Sequence, residues 1–110
     1  VAPWRSVYKL HRLSPAEITF VLTSGGHNAG IVNPPGNPRR HFQMLTRADH
    51  GHPIASEEWL HTAPETQGSW WPAWQQWLAA HSSARTKPPR MGLAQHPPLA
   101  DAPGSYVLVK

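Results

Sequence analysis

Proline is the residue that most limits what this chain can become: there are 13 in 110 residues. Each fixes φ and lacks an N–H, so it stops or bends a helix and is excluded from the middle of a sheet. The chain is therefore restricted to short elements separated by stiff turns. Six tryptophans supply the opposing force, since each removes about 150–250 Å² from water when packed. At this length the chain has room for one small domain. Short elements and large aromatic side chains together predict a compact but irregular fold that leans on a larger body.

The chain opens on Val1, with no initiator methionine and no basic-then-apolar leader. That start suggests a processed product or a piece of something longer. The longest apolar run, Ile18 to Leu22, is far short of the about 20 residues that cross a bilayer, and a soluble chain is expected. There is no cysteine, which excludes a disulfide framework, a zinc-thiolate site and a cysteine nucleophile within these residues. The same absence fits a reducing cytoplasm. The formal charge of +4 raises the question of nucleic acid, but the basic residues are scattered and only Arg39 and Arg40 adjoin. No nucleic-acid partner is expected. His41 and the pair His50 and His52 could chelate in principle. Without helical His-x-x-x-His spacing or nearby carboxylates at ligand intervals, they read as solvated loop residues, and no metal or cofactor is expected.

Periodicity places the elements. Trp4, Val7, Tyr8 and His11 recur at i, i+3, i+4 and i+7, with Leu10 beside them, predicting a helix over residues 4–13 that Pro15 ends. Glu17 to Thr23 is β-branched, aromatic and apolar on both faces, as a strand inside a covered parallel sheet would be. Ser24-Gly25-Gly26 breaks it, and His27 follows on the loop at its C-terminal edge, where α/β enzymes place their chemistry. Asn33 to Pro38 reads as a rigid turn. Phe42 to Ala55 has little periodicity and reads as loop. Ser56 is the expected cap of a short helix that Pro64 closes, with Glu57 and Glu58 favouring its N-terminal dipole. Ser69 is the expected cap of a second helix, Trp70 to about Ala80, whose stripe of Trp70, Trp74, Trp77 and Leu78 predicts a core-facing side. Trp71 falls off that stripe and is the one tryptophan left free for binding. The Pro-rich stretch to Gly104 reads as extended, and Tyr106 to Val109 as an edge strand or docked tail.

A lone histidine is more often structural than catalytic. His27 gains weight from the apolar strand before it, the Gly25-Gly26 turn, and the small residues Asn28-Ala29-Gly30 after it. These features describe the histidine loop of an α/β-hydrolase triad, in which the order nucleophile, acid, histidine puts the histidine last.

The segment Ser24-Gly25-Gly26-His27-Asn28-Ala29-Gly30-Ile31-Val32-Asn33-Pro34-Pro35-Gly36-Asn37-Pro38 resembles the Ser-Gly-His and Asn-Pro-Pro region of polyhydroxyalkanoate synthases. Gly68-Ser69-Trp70-Trp71-Pro72-Ala73-Trp74 resembles their Gly-Ser-Trp-Trp-Pro-x-Trp segment. Ala102-Pro103-Gly104-Ser105-Tyr106-Val107 resembles their C-terminal ending, and Val1-Ala2-Pro3-Trp4 the tail of their Asp-His-x-x-Pro-Trp segment. The four occur in family order along the whole chain.

The resemblance implies the C-terminal segment of an α/β-hydrolase fold. Residues 1–32 would carry a helix, the last sheet strand and the histidine loop, and residues 33–110 an irregular and helical remainder with a Pro-rich tail. It implies an acyltransferase that polymerises 3-hydroxyacyl-coenzyme A through a Cys-His-Asp triad. Only His27 maps onto that triad here, as general base; the family cysteine lies upstream, and the aspartate would fall just before Val1. The form of the residues after His27 leaves the acyl chain length open. The implied partners are 3-hydroxyacyl-coenzyme A, the growing polyester, a polymer granule surface in the cytoplasm, and a second copy in a full-length dimer. Two alternatives stand beside this one: another α/β-hydrolase, an esterase or depolymerase with a serine nucleophile, and a non-catalytic domain that binds a polymer or partner through its tryptophan helix.

Overall fold

A computed structural model describes residues 3–110. The resemblance resting on Val1 and Ala2 lies outside the described residues. Helices α1 (Trp4–Tyr8) and α2 (Leu10–Leu13) lead into strand β1 (Ile18–Thr23), followed by helix α3 (Asn28–Ile31) and strand β2 (His41–Arg47). Helix α4 (Ser56–Thr62), strand β3 (Glu65–Gln67) and helix α5 (Trp71–Ala80) complete the body, and a 3-10 turn (Tyr106–Leu108) sits in the tail.

The single helix expected over residues 4–13 is divided at Lys9, which keeps right-handed helical angles (φ −57°, ψ −16°), so the two parts form a nearly continuous run. Of its expected stripe, Tyr8 and His11 are buried and Trp4 is half-buried, while Val7 and Leu10 stay about half exposed.

Strand β1 forms where expected, but its pairing differs. It runs antiparallel to β2, with Phe20 opposite Leu45 and Val21 opposite Met44, and β2 runs antiparallel to β3. The order is β1-β2-β3, so the unit is a small α/β arrangement on a three-stranded antiparallel sheet. No parallel partner of β1 lies among the described residues. Strand β2 occupies part of the stretch read as loop. Its sequence, His41-Phe42-Gln43-Met44-Leu45-Thr46-Arg47, mixes polar and apolar residues on both faces, so the two-residue period that marks a half-buried strand is absent.

The two faces of the sheet serve different layers, because successive side chains of a strand point opposite ways. Phe20, Leu22 and Leu45 pack with Trp4 and Ile54 around Tyr8, Trp59 and Ala63. Trp59, on α4, is 1% exposed and meets Phe20 edge-on at 5.1 Å between ring centroids. Gln43, on this face, donates from Nε2 to the carbonyls of Leu60 and Ala63, both at 2.9 Å. It thereby satisfies two of the orphan acceptors that every helix C-terminus leaves. Arg47 donates to the carbonyls of Ser14, Ala16 and Gly51 and to His11 Nδ1, tying the end of α2 to the end of β2. The opposite face presents Thr19, Val21 and Met44 toward Trp70, Trp74 and Trp77, which line a groove of about 260 Å³ with them.

Three further expectations change. Helix α4 begins at Ser56 itself, with Ala55 in the cap position and no side-chain cap bond. The expected tryptophan stripe of α5 is not a core: no residue of that helix is buried, and Trp74 is 46% and Trp77 37% exposed. The stripe instead lines the open groove, with Trp70 stacked on Trp74 at 5.0 Å and Trp77 on His81 at 4.1 Å. The segment Tyr106–Val109 is neither edge strand nor docked tail; Tyr106 is 90% exposed and the chain makes a 3-10 turn there. Pro64 does follow the end of α4, and Pro72 lies in the first turn of α5, as expected of a residue without an N–H.

Candidate functional site

The ladder of β1 extends one residue past the strand. Ser24 N–H donates to the His41 carbonyl at 2.9 Å, and Ser24 Oγ accepts from His41 N–H at 2.9 Å. The chain then turns sharply. Gly25 has φ +102°, a left-handed conformation that calls for glycine. His27 follows at φ +51°, ψ −132°, a backbone state that residues with a Cβ rarely adopt and that costs roughly 1–3 kcal/mol. Helix α3 starts at the next residue. Gly30, in that helix, is buried, and a Cβ on it would lie 2.6 Å from Thr23 Oγ1 and 3.3 Å from the Gly25 carbonyl oxygen. The absence of a side chain thus lets α3 close directly on the end of β1.

The result is a strand, a strained one-residue crest and a helix. This is the kind of turn that lifts the crest side chain clear of the sheet, as in the strand-to-helix elbow that presents a hydrolase nucleophile. Here the crest residue is His27, exposed, with its ring hydrogen-bonded to no described residue and ion-paired with none of the described carboxylates. An imidazole held this way can take or give a proton at a group brought to it from outside this segment.

The residues beyond α3 are held by a distant stretch. The Ile31 carbonyl accepts the indole N–H of Trp70 at 3.0 Å and that of Trp71 at 2.9 Å. Ser69 Oγ donates to the Asn33 carbonyl and accepts from Trp71 N–H at 3.1 Å. Gly68 N–H donates to the Arg40 carbonyl at 2.6 Å, and Gln67 Nε2 to the Pro38 carbonyl at 2.5 Å. Trp71, left free for binding by its position off the stripe, is instead half-buried and tethered to the histidine segment. Periodicity within a helix carries no sign of such long-range bonds; the only sequence signal was the Gly-Ser-Trp-Trp cluster itself. Ser69 does bond the start of α5, although Trp70 takes the cap position.

His41 Nε2 is 4.0 Å from Glu65 and His50 Nε2 is 3.7 Å from Asp49, both pairs exposed. Among the described residues no group of three or more His, Asp or Glu side chains converges on a common point. His11 is 3% exposed and stacked on Tyr8 at 4.3 Å. Burial, and then the Arg47 charge, push its pKa below the usual histidine value, so it is an uncharged core residue. No helix among the described residues is long and apolar enough to cross a membrane.

No protein-family model matches the chain. Curated proteins do. Over 112 residues it is 41% identical to poly(3-hydroxyalkanoate) polymerase 2 of Ectopseudomonas oleovorans, covering 100% of this chain and 19% of that protein. It is 40% identical to the poly(3-hydroxyalkanoate) polymerase subunit PhaC of Rhizobium etli, covering 98% of the chain and 16% of the relative. Against the subunit of the same name from Cupriavidus necator it is 38% identical, covering 100% and 18%. The chain thus spans less than a fifth of the length of these relatives, with the match running through the histidine crest and the Ser69–Trp71 tether alike. By that whole-chain similarity, this chain belongs to the poly(3-hydroxyalkanoate) polymerase family.

Proposed function

We propose that these residues form the C-terminal segment of an α/β-hydrolase-type acyltransferase that polymerises 3-hydroxyacyl-coenzyme A, with His27 as its general base. The observation that carries this reading is the strained, exposed crest at His27 within a chain that matches polymerases from end to end. The chain contains no cysteine, so the nucleophile comes from another part of the polymerase. In the first half-reaction the thiol sulfur attacks the thioester carbonyl while His27 takes the thiol proton. The coenzyme A thiolate leaves and recovers that proton. In the second, the hydroxyl of one acyl group attacks the thioester of another as His27 takes the hydroxyl proton. An ester bond forms, the enzyme's sulfur leaves, and the proton passes to it. An aspartate from outside the described residues would orient the imidazole, and coenzyme A enters as part of the substrate, with no resident cofactor. The growing polyester, the granule surface and a second copy of the polymerase are the partners this reading implies, with a cytoplasmic, granule-bound location.

The test is His27→Ala in a family-length polymerase carrying these residues, with coenzyme A release followed from 3-hydroxybutyryl-coenzyme A. Loss of a general base costs about 10²–10⁴-fold, and more when the base also activates the nucleophile. The melting temperature should stay near that of the parent, because an exposed side chain leaves no cavity when removed. Retained turnover would refute the assignment. A serine in place of the upstream nucleophile would instead favour an esterase or depolymerase.

A further inference from the structure

The Gly-Ser-Trp-Trp segment has a role that its helix position does not explain. Its indoles do not fill a core: Trp70 and Trp71 are half-buried. What the two share is a destination. Both indole N–H groups end on one carbonyl oxygen, that of Ile31, which also accepts Asn33 N–H at 3.1 Å. Ser69 Oγ reaches the next carbonyl but one, on Asn33, and Asn33 is itself 3% exposed. Ile31 is the last residue of α3, and α3 starts one residue after His27.

The need for such a tether follows from the turn. Helix α3 has four residues, too few to be stable by its own hydrogen bonds. The crest at His27 is in an unfavourable backbone state, which persists only when its surroundings over-determine it. On the N-terminal side the surroundings are supplied by Ser24 and His41 across the sheet. On the C-terminal side the bonds come from Ser69, Trp70 and Trp71. We propose that Ser69, Trp70 and Trp71 are positioning residues for His27, clamping the C-terminal end of α3 so that the strained crest, and with it the imidazole, is fixed. The proposal rests on the reading of His27 as the general base. A displacement of about 1 Å in a catalytic group can cost roughly 10²-fold in rate, so the clamp should register in turnover more than in substrate binding.

Phenylalanine keeps an aromatic ring and removes only the indole donor. In a family-length polymerase carrying these residues, W70F and W71F should each lower kcat for coenzyme A release about 3- to 10-fold, since the other indole still holds Ile31. The double variant should lose about 10- to 100-fold, with KM within about 2-fold of the parent. W77F is the control, because Trp77 lies on the same helix and its indole bonds to none of these carbonyls; its kcat should be unchanged. The deciding arm repeats W70F/W71F in the His27→Ala background. Groups that act through one catalytic residue are non-additive, so there the double change should have no further effect on the residual rate. An unchanged kcat in W70F/W71F, or an equal loss with and without His27, would overturn the clamp. If the double variant melts well below the parent, the two single variants carry the same comparison. Failure of the general-base reading is seen separately, as full turnover by His27→Ala alone.

Discussion

Trp59→Ala should damage this chain about twice as much as Trp74→Ala, although the helix period singles out Trp74 and gives Trp59 no special place. Trp59 is 1% exposed and sits among Trp4, Tyr8 and Phe20 at centroid distances of 6.1, 5.9 and 5.1 Å. A buried tryptophan removes about 200 Å² from water, worth about 5 kcal/mol at 25 cal/mol per Å² as an upper bound. Measured truncations of this kind cost about 3–5 kcal/mol. Trp74 is 46% exposed and stacks on Trp70, so the same arithmetic on the roughly half of its area that is buried leaves it about 2.7 kcal/mol, again as an upper bound. Trp59→Phe is informative as well. The Trp59 indole N–H is buried without a partner, a state that costs about 1–3 kcal/mol. Its removal should offset much of the lost area and leave the phenylalanine variant within about 2 kcal/mol of the parent. Urea unfolding of the 110-residue chain, followed by far-ultraviolet circular dichroism, would measure all three. The reasoning fails if Trp74→Ala costs as much as Trp59→Ala, or if Trp59→Ala unfolds at the parent's midpoint.

The isolated 110-residue chain should release no coenzyme A from 3-hydroxybutyryl-coenzyme A above a buffer blank, because it has no cysteine to form a thioester; turnover would refute the triad reading. Stability should fall in acid through His11. Its folded pKa is lowered, so below the ordinary histidine value the unfolded chain binds the proton first. Stability is fully present above about pH 6.5 and declines by up to about 1.4 kcal/mol per pH unit down to the folded pKa; His11→Phe should flatten that slope in urea midpoints taken from pH 7 to 5. Gly30→Ala should reduce turnover of a family-length polymerase, because its Cβ would press on Thr23 and the Gly25 carbonyl and lift α3 from β1. A wild-type kcat in that variant would show that α3 need not seat there.

The elements that were legible in the sequence are those whose residues decide locally. The apolar run Ile18–Thr23 makes a strand in almost any context, and the Gly25-Gly26 pair must turn, so His27 was already placed at the end of a strand. Pro64 and Pro72 fixed a helix end and a helix start by what a proline cannot do. The misreadings share the opposite property. Strand β2 is a strand because β1 and β3 lie on either side of it, and its mixed faces match two different layers: Gln43 caps a helix, Leu45 enters the core and Met44 faces the tryptophans. No period within seven residues can encode three neighbours of that kind. The tryptophan stripe failed for a related reason. Period identifies one side of a helix, but not whether anything covers it; in this structure the tryptophans face a groove, and two indoles spend their polar ends on Ile31. The same limit applied to the site. His27 could be found from its local turn, whereas the bonds from Ser69, Trp70 and Trp71 cross 36 to 40 positions of sequence. A four-residue helix and a strained crest are features that local sequence makes unfavourable, and their persistence requires a partner from elsewhere in the chain. In a chain cut this short by proline, an element too small to hold itself is therefore a guide to where the long-range bonds must be.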